Sequence, residues 1–207
     1  MSKSKKILAL TVTLSLLIAA CGGSSSGEEA GSPSPRAVAT AASIDGMKSQ
    51  TAMPMSFDLM YMAGMSEHHQ SAIDMAEAAL QHSEHPEVKT LARAIIESQQ
   101  AEQVQMERYS QQWYDRSLED VNPGSMPGMN MGRAMAVSPE ELANADPFDK
   151  AFLEAMIPHH RSAVEMSEQA LDRAEHTELK GLARAIIKAQ ETEITQMQGW
   201  LKGWYGA

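Results

Sequence analysis

Shifted by 91 residues, the chain overlays on itself: Phe57 to Tyr114 aligns with Phe148 to Tyr205 without a gap, and about 27 of the 58 pairs are identical. A duplication of this kind narrows the choice of fold, because whatever face one copy buries the other must bury too. The identities include Phe57/Phe148, Asp58/Asp149, Met65/Met156, His68/His159, His69/His160, Met75/Met166 and Glu77/Glu168. Further along come Leu91/Leu182, Ile95/Ile186, Gln99/Gln190, Glu102/Glu193, Met106/Met197 and Trp113/Trp204.

Each copy reads as two helices. In the first, Phe57, Tyr61, Met65, His68, Ala72, Met75 and Ala79 recur at steps of three and four, a single helical stripe. Ser83 to Pro86 breaks it, and Pro86-Glu87 makes a good first turn for the next helix, as Thr177-Glu178 does in the second copy. The second helix carries a heptad-like seam of Val88, Leu91, Ile95, Glu102, Met106, Tyr109 and Trp113, repeated as Leu179, Leu182, Ile186, Glu193, Met197, Trp200 and Trp204. Before the second copy, Ser138-Pro139-Glu140-Glu141 and Asp146-Pro147-Phe148-Asp149 each read as an N-cap, a proline at the first helical position and an acid at the third. A helical hairpin this short has little core of its own, so the two are expected to pack into an all-α four-helix bundle.

The rest of the chain is organised around that bundle. Lys3, Lys5 and Lys6 precede an apolar run from Ile7 to Ala20, too short to span a bilayer comfortably, which is the layout of a signal peptide. Ile18-Ala19-Ala20-Cys21 resembles a bacterial lipobox, in which Cys21 becomes the lipid-bearing N-terminus. Residues 1–20 are therefore expected to be a lipoprotein signal peptide, and residues 21–55, rich in Gly, Ser, Ala and Pro, a flexible tether. Residues 56–207 form the bundle, with repeat 1 at 57–114, a Met-rich linker at 115–147 and repeat 2 at 148–205. Cys21 is the only cysteine, so no intramolecular disulfide forms. The formal charge of -10 disfavours nucleic acid, whose binding rests on Lys and Arg neutralising phosphates.

Sixteen Met outnumber ten aromatic residues, and their placement carries the chemistry. Position 102 falls where the seam calls for a large apolar side chain, yet it is Glu, and so is its equivalent 193. A core-facing carboxylate costs several kcal/mol unless it is paired or binds a metal. On the preceding helix His68 and His69 flank the direction of Met65, so both imidazoles border the buried stripe. The candidate metal ligands are therefore Met65, His68, His69, Met75, Glu102 and Met106 in one copy and Met156, His159, His160, Met166, Glu193 and Met197 in the other. Imidazole suits several transition metals, while thioether favours soft Cu(I). The same residues also suit a bundle in which Met fills gaps and His pairs with Glu to set helix register. Further Met crowd stretches that read as unstructured: Met53, Met55, Met60, Met62 and Met65 in one flank, and Met126, Met129, Met131 and Met135 in the linker. Clusters of this spacing can close around a soft cation. His82 and His85 stand three apart near a helix end, where a surface metal site or a favourable dipole contact are both open readings.

These stretches, Asp58 to Met75, "FDKAFLEAMIPHHRSAVEM" (Phe148 to Met166) and "LARAIIKAQETEITQMQGWL" (Leu182 to Leu201), resemble the bacterial family catalogued as domain of unknown function 305. The likeness covers both copies, and Pro-His-His with a downstream Gln-x-x-Glu-x-x-x-Met is fairly specific to it. The resemblance implies a ferritin-like four-helix bundle in the bacterial envelope, with copper bound in some members. It places that role on Met156, His159, His160, Met166, Glu193 and Met197 and on their first-copy equivalents. The first copy departs from the pattern, with Ser66-Glu67 in place of Ile157-Pro158, so a helix kink is expected in one copy only.

The function expected is a non-enzymatic, envelope-anchored protein that sequesters or passes on Cu(I), or Ag(I) as its mimic. Its partners would be the metal ion and, through the lipid, the membrane; the sequence names no protein partner. The alternatives are a structural or partner-binding bundle without metal, and a ferritin-like di-iron oxidase. The latter needs Glu-x-x-His on each of two helices. At that position the two motifs carry Met65 and Met156, soft ligands in place of hard ones.

Overall fold

The computed structural model describes residues 55–124 and 137–206. Cys21, the tether, Met53 and the linker methionines Met126, Met129, Met131 and Met135 lie outside the described residues. Four long helices form the bundle: α1 (Phe57–His82), α2 (Pro86–Tyr114), then, after the short α3 (Pro139–Ala143), α4 (Phe148–Arg173) and α5 (Thr177–Tyr205). A single 3₁₀ turn, Leu118–Asp120, follows α2. No helix among the described residues is long and apolar enough to cross a membrane.

Local sequence accounts for most of the boundaries. Ser56 caps α1 by accepting from the Leu59 N–H at 3.2 Å. Pro86 opens α2, and Ser138 with Glu141 forms a complete capping box on α3. The last turn of α5 closes on Gly206 at φ +70°, a left-handed position suited to glycine. At α4 the expected cap fails. The N-cap is Pro147 rather than Asp146, and no side chain bonds to the first turn, because proline in the extended region there offers no side-chain acceptor. Nor do Met60, Met62 and Met65 belong to an unstructured flank: all three lie in α1, with Met62 and Met65 fully buried.

α1 packs on α2 and α4 on α5, and α1 meets α4 across the two copies. The helices α1 and α4 run antiparallel, so the core divides into two apolar clusters. One joins Leu59, Tyr61, Met62 and Met65 of α1 and Met106 of α2 to Ala163, Met166, Ala170, Leu179, Ala183 and Ile186 of the second copy. The other joins Met75, Ala79, Val88, Leu91 and Ile95 of the first copy to Phe152, Leu153, Met156 and Met197. Neither copy owns a core. Each hairpin completes both clusters, which is why a unit of 58 residues had to be doubled.

Candidate metal centre

His68, His69, His159 and His160 are all fully buried, and none belongs to either apolar cluster. They form a polar layer at the middle of the bundle. The rings of His68 and His159, equivalent residues on α1 and α4, meet with centroids 3.9 Å apart. His68 Nε2 lies 2.7 Å from Ser162 Oγ, whereas neither ring nitrogen of His159 has a hydrogen-bond partner. The departure between copies thus falls on this pair, while α4 continues unbroken through Pro158.

Beside each of these stands a histidine held by a carboxylate. His69 Nε2 is 2.8 Å from Glu102 Oε2, and His160 Nε2 is 2.8 Å from Glu193 Oε2. At His160 the contact is a hydrogen bond, and an ionised carboxylate only accepts, so Nε2 carries the proton and Nδ1 keeps its lone pair. At His69 the same distance is a close contact that is not aligned as a hydrogen bond. In both rings the buried Nδ1 has no partner. Burial, then the neighbouring imidazoles, hold His68 well below its ordinary range and push His159 down to about 3. These two rings are neutral at physiological pH, the form a metal requires. The glutamates differ from expectation in one respect: each is 16% exposed at the rim of the core and reaches inward. The seam position that is truly buried is one turn earlier, at Gln99 and Gln190, each 2% exposed. Gln99 Oε1 and both polar atoms of the Gln190 amide are unpartnered. Their pairing in the repeat marked them, but amide side chains at a heptad seam read as ordinary packing.

The six candidate methionines are buried, but they do not group by copy. Met65 and Met106 share their cluster with Met166, and Met156 and Met197 share theirs with Met75. The grouping of Met75 with Met65, and of Met166 with Met156, is thereby corrected. Ten residues along a helix is about 15 Å, so Met75 lies too far along α1 to flank the same face of the layer as Met65. The antiparallel crossing of α4 brings the other copy's methionine there instead. Among the described residues no three His, Cys, Asp or Glu side chains converge to hold an ion.

His85 and His176 have a different task. They are the N-cap residues of α2 and α5, not C-terminal dipole partners. Asp149, at the start of α4, accepts from the backbone N–H of Glu84 at 3.1 Å and of His85 at 3.0 Å, and from His85 Nδ1 at 2.6 Å. Asp58 does the same for Glu175, His176 and His176 Nδ1 of the other copy, the last at 2.8 Å. Each imidazole also stacks on an indole, His85 on Trp204 and His176 on Trp113, with centroids 3.9 and 3.8 Å apart. His82 faces Phe148 across 5.6 Å. The acid at the second position of each first helix therefore caps the second helix of the opposite hairpin and clasps the two copies at both ends.

A duplicated all-α bundle with an imidazole layer between two thioether-rich cores defines the class. The chain belongs to the family described as domain of unknown function 305, whose model matches residues 58–201. It is similar to CopM in the Cu(I)-bound form, at 39% identity over 73% of this chain and 99% of that one, with a TM-score of 0.63. The Cu(II)-bound form of CopM gives 42% identity, 73% and 100% coverage and 0.64. CopM has also been crystallised bound to Ag. A DUF305 fragment from Deinococcus radiodurans is 30% identical over 72% of this chain and 98% of its own, with a TM-score of 0.58. An uncharacterized protein, L153, of Acanthamoeba polyphaga mimivirus is 42% identical over 53 residues; this match spans 35% of that relative.

Proposed function

We propose that this protein binds copper as Cu(I), with Ag(I) as a mimic, and sequesters or hands it on without catalysing a reaction. The observation that carries this reading is the pair of buried histidines whose Nε2 lies 2.8 Å from a glutamate oxygen while the buried Nδ1 has no partner. A carboxylate on the outer nitrogen fixes the ring and raises the basicity of the inner one, as it does around metal-bound histidine. Met65, Met106 and Met166 on one side of the layer, and Met156, Met197 and Met75 on the other, offer the soft sulfurs that select Cu(I) over Zn(II) or Fe(II). The copper- and silver-bound forms of CopM support the choice of metal. Glu102 and Glu193 act behind the imidazoles and are not ligands of the bound ion. Cys21, on this reading, carries the lipid that anchors the bundle to the membrane at the cell envelope.

Chelator competition for Cu(I) tests the site. Met65→Leu with Met156→Leu keeps volume and hydrophobicity close, and is expected to cost under about 1.5 kcal/mol of stability per site while weakening Cu(I) binding. Ala at His68, His69, His159 and His160 is expected to abolish tight binding. Parent-like affinity in either variant would return the motif to core packing. For the anchor, Cys21→Ser is expected to move the full-length protein out of the membrane fraction, and unchanged fractionation would refute the lipidation.

A further inference from the structure

Four fully buried imidazoles pose a problem of access: an ion that binds them has to cross the wall of the bundle. Glu193 is at once the partner of buried His160, at 2.8 Å, and part of the wall of an open cleft of about 540 Å³ between α2 and α5. Leu91 and Ala94 of α2 and Ala185, Lys188 and Thr192 of α5 complete much of that wall. Ala94 and Ala185 are equivalent residues of the two copies, and both are exposed. Small side chains at this matched position leave the space between the outer helices unfilled.

We infer that this cleft is the route by which the metal enters and leaves, with Glu193 as its inner gatepost. The inference rests on the copper reading above and adds the path to it. A carboxylate has acceptor capacity for more than one partner, so Glu193 holds the His160 N–H through Oε2 and keeps an oxygen for an arriving cation. An oxygen ligand is a poor match for Cu(I). It attracts the ion by charge without trapping it, and thioether and imidazole further in draw it on. Lys188 on the same wall offsets part of that attraction, so the gate works at contact range rather than by long-range steering.

The test separates path from site by kinetics. Stopped-flow exchange of Cu(I) between the whole protein and a colorimetric cuprous chelator gives loading and release rates, and equilibrium competition gives the affinity. Ala94→Leu on α2 and Ala189→Leu on α5, both lining the cleft, are each expected to slow loading and release together by about tenfold, as for binding that awaits an opening, with affinity unchanged. Glu193→Gln keeps an acceptor for His160 and removes the charge, and is expected to slow loading about threefold to tenfold. Gln198→Leu, in a separate cleft between α4 and α5, serves as the control and is expected to leave the rates as in the parent. Unchanged rates in both alanine variants would overturn the route, as would slowing by the control. Lower affinity with unchanged loading would overturn it too, because the cleft would then be part of the site's support. A parent that binds no Cu(I) would instead end the copper reading itself.

Discussion

Replacing Asp149 with Ala removes one carboxylate and leaves three N–H groups without their acceptor: two at the start of α2 and Nδ1 of His85. Losing an N-cap alone costs about 1 kcal/mol, and a hydrogen bond to a charged group contributes about 1.5–3 kcal/mol. Because the carboxylate is 3% exposed, water cannot simply take its place. A loss of about 3–5 kcal/mol follows, a large part of the 5–15 kcal/mol that holds a domain folded. Asn at 149 keeps a neutral acceptor and should cost about 1–2 kcal/mol. Burial works against the charge, but hydrogen bonds from Ser83, the His85 ring and the backbone of His85 and Glu84 outweigh it and hold the Asp149 carboxyl below its ordinary value. A depressed carboxylate stabilises the fold above the unfolded value, about pH 3.9, and that contribution disappears as pH falls through the folded value. Urea titration followed by circular dichroism measures the effect, and indole fluorescence reports locally, since Trp204 stacks on His85. Asp58→Ala should carry a like cost in urea at the other end of the bundle. A cost below about 1 kcal/mol for Asp149→Ala would refute the clasp, showing that ordinary capping by solvent suffices there.

Other outcomes follow from the same geometry. The Tyr61 hydroxyl lies 3.0 Å from Ser167 Oγ in the core, where the equivalent residues of the other copy are Phe152 for Tyr61 and Ala76 for Ser167. Tyr61→Phe or Ser167→Ala alone should cost about 1–3 kcal/mol by stranding the partner, while the pair together should be nearly neutral in a urea double-mutant cycle. His159, held near 3, stays neutral in the fold while the unfolded chain takes up a proton below about 6.5. Stability is full above that value and falls as pH drops toward 3, and melts of His159→Gln between pH 7 and 4 should lose less than the parent. Either hairpin expressed alone should show weak, non-cooperative unfolding by circular dichroism, since each apolar cluster draws on both copies.

The helices and the histidine layer could be read from the chain because both are local matters: a stripe at steps of three and four, a break before Pro86, two adjacent histidines beside a buried stripe. What could not be read is everything that depends on how the copies cross. Met75 has the spacing of a ligand to its own copy's histidines, yet the antiparallel packing of α1 and α4 assigns it to Met156 and Met197. Asp58 and Asp149 look like first-turn acids of their own helices, and only the tertiary fold shows each of them 64 or more residues from the N–H groups it accepts. Their identity in both copies was the available signal. Glu102 was the conspicuous oddity of the seam, but the buried polar position is Gln99, whose uncharged amide raised no conflict with the heptad.

The clasps and the polar layer explain one another. A layer of four imidazoles across the centre of a bundle interrupts its apolar core, and several of its ring nitrogens have no partner, each a cost of about 1–3 kcal/mol. A binding site for a metal needs that vacancy of partners, since a lone pair already engaged by a protein donor is closed to the ion. The stability forgone at the middle must therefore be found elsewhere. Both ends of this bundle carry a buried carboxylate with three donors and an imidazole stacked on an indole, each joining one copy to the other. These contacts lie far along the helices from the histidine layer, and none of them involves a proposed ligand. Weakening a clasp should then loosen the whole bundle without altering the ligands. Weakening the layer, for instance by replacing His159, whose two ring nitrogens have no partner, with Leu, should stabilise the fold and, on the proposed copper reading, diminish the site, a trade that melting temperature and Cu(I) affinity measured on the same variant will expose.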